Sequence, residues 1–229
     1  MVRRGPLLNA LTVRAVTAVV LAVWLQVIGS GAWASHEAES RPTRPPLIDA
    51  AIRGDTAAVV DLIGMGADIN GRDESGVTAI YLSVYLCADE KCLEVLCALL
   101  DHGADANIGR RDGFSPLHLA CELSEVSAAK LLIAHGARVS AVEQSMGDTP
   151  LHVAVKVPDR GGRKREVIRL LLAHGADITQ RNTDGKSPID IVTTSGDPGL
   201  VDFIQQEAAK ASGAARGRRG GPTTAPAAR

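Results

Sequence analysis

Histidine, cysteine and serine are the side chains of this 229-residue chain that could do chemistry, and their spacing decides which chemistry. Zinc ligation from a helix needs two histidines one turn apart, as in H-E-x-x-H, or closely paired cysteines, as in C-x-x-C; neither pattern occurs. A nucleophilic serine needs a sharp turn such as G-x-S-x-G with His and Asp partners. Ser, His and Asp are all present, but in no such frame. Five of the six histidines recur instead in two local contexts. His118 and His152 stand in Ser115-Pro116-Leu117-His118-Leu119-Ala120 and Thr149-Pro150-Leu151-His152-Val153-Ala154, while His102, His135 and His174 each stand directly before a Gly-Ala pair. The spacing of Cys87, Cys92 and Cys97 is unlike that of closed zinc sites.

The elements that hold these residues follow from the same motifs. A Ser or Thr before Pro supplies an N-cap hydroxyl, and Pro at the first helical position loses no hydrogen bond, so short helices are expected to begin at Pro116 and Pro150. After a turn come leucine-rich segments with helical spacing, Ala129, Leu132 and Ile133 in one and Ile168, Leu171 and Leu172 in the other. Each ends at a glycine suited to a left-handed C-cap, Gly136 or Gly175. There, His102, His135 and His174 are placed to meet the last helical carbonyls. The unit is therefore two antiparallel helices that cannot bury all their apolar surface without neighbours.

The unit repeats. Gly66, Gly103, Gly136 and Gly175 are separated by 37, 33 and 39 residues, and Thr78-Ala79-Ile80-Tyr81 is a weaker copy of the proline motif. This pattern resembles the ankyrin repeat, whose unit of about 33 residues carries T-P-L-H-x-A. The resemblance implies an all-α solenoid of about five helix-turn-helix repeats with short β-turn or hairpin connections. Residues 47–70 form a capping repeat, 71–108, 109–140 and 141–179 the next three, and 180–204, opening at Ser187-Pro188-Ile189-Asp190, a second cap. Repeats two and four carry insertions of four and five residues, expected in the turn between the two helices at 87–92 and 156–166; the second is strongly basic. A basic loop of this kind either holds an acidic partner or anionic headgroups or is simply solvated.

The resemblance also implies a rigid scaffold with no cofactor, metal or catalytic centre, in which His118 and His152 bond to backbone and cap hydroxyl and tie adjacent units together. Its partner is a protein, not nucleic acid or a small-molecule substrate. The partner-binding surface implied is the concave face, made of the last positions of the first helices and the hairpin tips. The helix positions are Ile52, Tyr85, Leu86, Leu123 and Val157, with Arg53, Glu122 and Lys156 beside them; the tips are Arg72, Arg110, Arg111, Glu143 and Arg181, with Glu74 and Gln144. Tyr85 is the expected anchor of an apolar strip.

Composition agrees with thin stacked helices: 45% of residues are hydrophobic but only 3% aromatic, so the core must be aliphatic. Residues 1–34 contain three arginines and no acid, an apolar run at 15–28 and an A-x-A ending at Ala32-Trp33-Ala34, the layout of a secretory signal peptide. The competing layout is an uncleaved anchor, because the run is borderline for spanning a bilayer; membrane contact is expected only then. Cleavage would leave 22 basic against 26 acidic residues, a net charge of −4 that argues against general nucleic-acid binding. The expected setting is periplasmic or secreted. A membrane-tethered adaptor and an exported immunity or effector protein made for one partner are the alternatives. In an oxidising compartment Cys87 and Cys92 would close the first insertion as a disulfide; otherwise the cysteines are free thiols, with Cys121 a small core residue. Residues 35–46 read as a polar linker and 205–229 as a disordered tail.

Overall fold

The computed structural model describes residues 44–86, 90–159 and 162–218. The chain divides into two compact units at Pro42 and Thr43, and all of the described residues belong to the second. The expected signal segment 1–34 and nearly all of the linker lie outside the described residues. Ten helices are formed among those that are described: α1 Pro46–Arg53, α2 Thr56–Gly64, α3 Ala79–Leu86, α4 Glu90–Asp101, α5 Pro116–Leu123, α6 Val126–Ala134, α7 Pro150–Lys156, α8 Arg163–Ala173, α9 Pro188–Ser195 and α10 Pro198–Arg218. They make five pairs. The only extended pairing among the described residues is one isolated antiparallel bridge, Arg72 with Thr78.

Proline and a cap hydroxyl set the starts of the inner helices. The hydroxyls of Ser115, Thr149 and Ser187 accept the N–H three residues on, from His118, His152 and Asp190 at 3.4, 3.4 and 3.2 Å. Proline occupies the first turn of α1, α5, α7 and α9. Within each pair the helices pack on each other; α1, α3, α5, α7 and α9 then stack in one layer and α2, α4, α6, α8 and α10 in a second. Leu96, Leu99, Leu117, Leu132, Leu151, Ile168 and Leu171 are fully buried between the layers. Small residues, Ala50, Ala79, Ser83, Ala120 and Ala154, are buried in the first layer and allow neighbouring helices to approach.

Both insertions differ from expectation in where they go. Repeat three sets the reference, with helices of 8 and 9 residues joined by two residues. In repeat two most of the insertion lengthens the second helix, α4, to 12 residues; in repeat four it is divided between a longer connection and an α8 of 11 residues. Glu, Lys, Arg and Leu in these stretches are good helix formers, so an added turn of helix satisfies backbone groups that a longer loop would leave to water.

The C-terminal boundary is also corrected. A disordered tail from 205 is replaced by helix: α10 continues 14 residues past Ile204 to Arg218. Its Ala-rich sequence favours helix. Glu207 fastens it by pairing with Arg169 of α8 at 3.5 Å, with Lys210 of its own helix beside it at 2.8 Å, and Ala208 packs against the core. Residues 219–229 lie outside the described residues.

Candidate functional site

The histidines of the proline motif are fully buried and hold the stack together. In His118 Nδ1 accepts the Ser115 N–H at 3.1 Å, which leaves the ring proton on Nε2; Nε2 donates to the Asp148 carbonyl in the next repeat at 3.1 Å. His152 repeats the arrangement with Thr149 and the Lys186 carbonyl, also at 3.1 Å. Burial holds both imidazoles below their ordinary range, in the neutral form that this bonding requires. Where repeat two has Tyr81 the link is made differently. The Thr78 hydroxyl donates to the Ile108 carbonyl at 3.0 Å, Arg72 donates to the carbonyls of Gly76 and Gly109, both at 2.6 Å, and the Tyr81 hydroxyl meets the Arg110 guanidinium. In repeat five Asp190 closes the cap box by accepting the Ser187 N–H at 3.0 Å, without the second donor that a histidine would offer to a following unit.

The other histidines divide. His102 and His174 meet the Ala98 and Leu170 carbonyls at 2.7 and 2.9 Å, as the C-cap position predicts. His135 instead faces the Asp101 carboxylate of the preceding repeat at 3.7 Å.

The hairpin tips that connect the repeats are organised by one acceptor side chain each. Asp73 accepts the Val77 N–H at 2.9 Å, and Asn182 accepts the N–H groups of Asp184 and Lys186, both at 3.1 Å. Glu143 serves the tip between repeats three and four. Its carboxylate accepts the N–H groups of Ser145, Met146 and Asp148 at 2.7, 2.6 and 3.2 Å and the Ser145 hydroxyl, and it is only 4% exposed. These donors outweigh its desolvation and bring its pKa down to about 2. Its expected role as an exposed contact is therefore corrected: the side chain is spent on its own turn. The tips also interlock, Gln144 donating to the Asp112 carbonyl at 2.7 Å and Thr183 to that of Met146 at 2.9 Å.

Of the other expected contact residues, Tyr85 is exposed, at 42%. Ile52, Leu86, Leu123 and Val157 are half-buried, and Ile52 and Leu123 pack against the core, so the continuous exposed strip reduces to Tyr85 with half-covered neighbours. Arg111 is exposed and reaches the Glu74 carbonyl at 3.3 Å; Arg181 is exposed and pairs with Asp190 at 3.3 Å. Arg72 is committed to the two carbonyls already named.

Repeats three and four enclose a depression of about 340 Å³ on this face. Phe114, Met146, Val153 and Val157 form its apolar part, and Arg110, Asp112, Glu122, Asp148 and Lys156 stand among them. Arg110 pairs with Asp112 at 2.6 Å and lies 5.7 Å from the centre of the Phe114 ring; Lys156 is paired with Asp148. Sequence reasoning placed Arg110, Glu122, Glu143, Lys156 and Val157 here and missed Phe114 and Met146. The signal for Met146 was available: Gly136 to Gly147 is one residue longer than Gly103 to Gly113, so this tip carries an extra residue. Met146 is 49% exposed.

The cations of the basic insertion are largely engaged within the molecule. Lys164 Nζ donates to the Val155 carbonyl at 2.8 Å, Arg163 pairs with Glu125 at 3.6 Å, and Arg165 lies 5.5 Å from the centre of the Phe203 ring of α10. Cys121 is buried and burial pushes its thiol far up; Cys97 is half-buried and raised by burial and by Asp101 and Glu94. The expected Cys87–Cys92 bridge lies outside the described residues. Among the described residues no cluster of His, Cys, Asp and Glu is arranged to hold a metal ion, and no helix is long and apolar enough to cross a membrane.

Comparison with known proteins agrees with this architecture. The family described as ankyrin repeats (3 copies) matches residues 47–141 and 84–182, more than half of the chain. The chain is 32% identical over 140 residues to the putative ankyrin repeat protein YahD of Escherichia coli (strain K12), covering 61% of this chain and 68% of that one. It is 32% identical over 154 residues to the nuclear factor NF-kappa-B p105 subunit of Gallus gallus, covering 66% of this chain. A putative ankyrin repeat protein of Fowlpox virus, FPV024, is 27% identical over 115 residues, half of this chain. The match spans only 15% and 18% of the chicken and viral proteins. With five stacked helix pairs, buried Ser/Thr-Pro-Leu-His ties and this family match, the chain belongs to the ankyrin-repeat family, an architecture for protein–protein interaction.

Proposed function

We propose that the chain is a non-catalytic scaffold that binds a protein partner through its concave face and works outside the cytoplasm. The observation that carries the first part is the depression between repeats three and four, which Phe114, Met146, Val153 and Val157 line with Met146 exposed; exposed Tyr85 at the end of α3 supports the same reading. Exposed aromatic and methionine side chains around a concavity are the composition of a binding centre. Export is supported by the layout of residues 1–34, and the sign of the net charge speaks against nucleic acid.

Affinity capture from the exported fraction tests the reading, with the wild-type chain beside Tyr85→Ala/Leu86→Ala and Met146→Lys. The expected result is a protein that is recovered by the wild type and lost with both variants, on a bait whose N-terminal residue is Ser35. Equal recovery with all three baits rejects the concave face. A bait that keeps Met1 and sediments with membranes makes the protein a tethered adaptor instead.

A further inference from the structure

The depression between repeats three and four is unevenly charged. Two cations and four carboxylates line it. Arg110 is neutralised by Asp112 at 2.6 Å and Lys156 by Asp148. Two carboxylates remain. Glu143 is held ionised by four donors of its own turn. Glu122 is exposed, and no cation of the described residues pairs with it. Glu122 lies in the last turn of α5 and Lys156 ends α7, so side chains at the C-terminal ends of two helices line the same concavity. Beside this field stand apolar Met146 and Val157.

We infer that this depression receives a basic side chain, arginine or lysine, from an extended segment of the partner, the aliphatic stem lying on Met146 and Val157 and the charged head meeting Glu122. Long basic side chains combine an apolar stem with a cationic tip, and that combination matches an apolar wall with a surplus of negative charge. An acidic segment would be repelled here. The inference rests on the concave-face reading and narrows it to the chemistry of the partner.

The three methionines of the chain supply the test. With the methyl groups of the folded full-length protein labelled with ¹³C, Met146 reports the depression, and Met65, 80% exposed beyond α2, reports a distant surface. The probes are three blocked tripeptides, Leu-Arg-Leu and its citrulline and glutamate counterparts. The arginine peptide is expected to shift the Met146 resonance saturably and leave Met65 in place; citrulline, isosteric but uncharged, and glutamate should not. Glu122→Gln should weaken the arginine peptide about three- to fivefold, the range of a partly exposed ion pair. Equal shifts with arginine and citrulline, or a Glu122→Gln protein that binds as the wild type does, overturn the inference. So does a Met146 signal that none of the peptides moves. If capture of the natural partner is lost with Tyr85→Ala/Leu86→Ala while the peptides fail, the concave reading survives and only the basic side chain is refuted.

Discussion

Two imidazoles carry the joints between repeats three, four and five, and their bonding makes stability depend on pH. Each ring accepts on Nδ1 and donates from Nε2, so a second proton has no place without breaking the bond from Ser115 or Thr149. Burial lowers both folded-state pKa values below the ordinary 6.5. As pH falls the unfolded chain therefore takes up protons first. The stabilising contribution is complete above about pH 6.5 and is lost as pH falls from there toward the folded values. Urea midpoints should drop between about pH 7.5 and about pH 5.5, and His118→Ala should lower stability by about 1–3 kcal/mol at the higher pH, because the buried Ser115 N–H loses its acceptor and the Asp148 carbonyl keeps only the Glu143 N–H. A flat profile would mean that folding leaves the two imidazole pKa values where they stand in the unfolded chain. Glu143 has its own lower window, present above its ordinary 4.5 and lost as pH falls toward about 2. The histidine ties were legible because Ser/Thr-Pro-Leu-His fixes both cap and ring within four residues. The burial of Glu143 was not, because it depends on one extra residue in the turn and on where three N–H groups point.

Among the elements, four of the five inner helices were readable from their prolines, and α3 from its Thr78 copy of the motif, while the ends of the outer ones were not. Nothing local separates an inserted loop from an inserted helical turn when the inserted residues are Glu, Lys, Arg and Leu; packing of α4 and α8 against their neighbours decides it. The same ambiguity hid the length of α10, since Ala, Gly and Arg without apolar periodicity look like tail until Arg169 and Glu207 are found side by side. Ala208→Pro tests that element directly. Within a docked helix it removes a hydrogen bond and clashes with the preceding turn, at a cost of up to about 3 kcal/mol, with loss of helical circular dichroism; in a tail it would change neither. The hairpins have an equally local test at Gly109. A Cβ there would stand 2.0 Å from the Phe114 carbonyl, so the turn must move and the Arg72 bond to the Gly109 carbonyl must move with it. Gly109→Ala should cost about 2–4 kcal/mol in thermal or urea unfolding, a far larger effect than a surface alanine normally has.

The described repeats form a row in which each packs on its neighbours, so the place of a broken joint matters as well as its strength. The joint between repeats one and two has Ile48 where a histidine would stand, and that side chain is buried in apolar packing. The joint between two and three uses Thr78, Arg72 and the Tyr81–Arg110 contact, and the later two use histidine. Breaking the joint between repeats three and four leaves three repeats on one side and two on the other, and the shorter side has less interface to lose before it unfolds. The aromatic residues of the described part fall on either side of that joint: Tyr81 and Tyr85 in repeat two and Phe114 in repeat three, Phe203 in α10. In the wild type their ring resonances should disappear together as urea is raised, because the intact row unfolds cooperatively. In His118→Ala, Phe203 should be lost at lower urea than Tyr81, with far-UV circular dichroism resolving into two steps. In Asp190→Ala, which alters a cap that ties to no later repeat among the described residues, the rings should still vanish together. Coincident loss in His118→Ala would show that apolar burial between the layers alone couples the row and that the imidazole joint contributes stability without cooperativity.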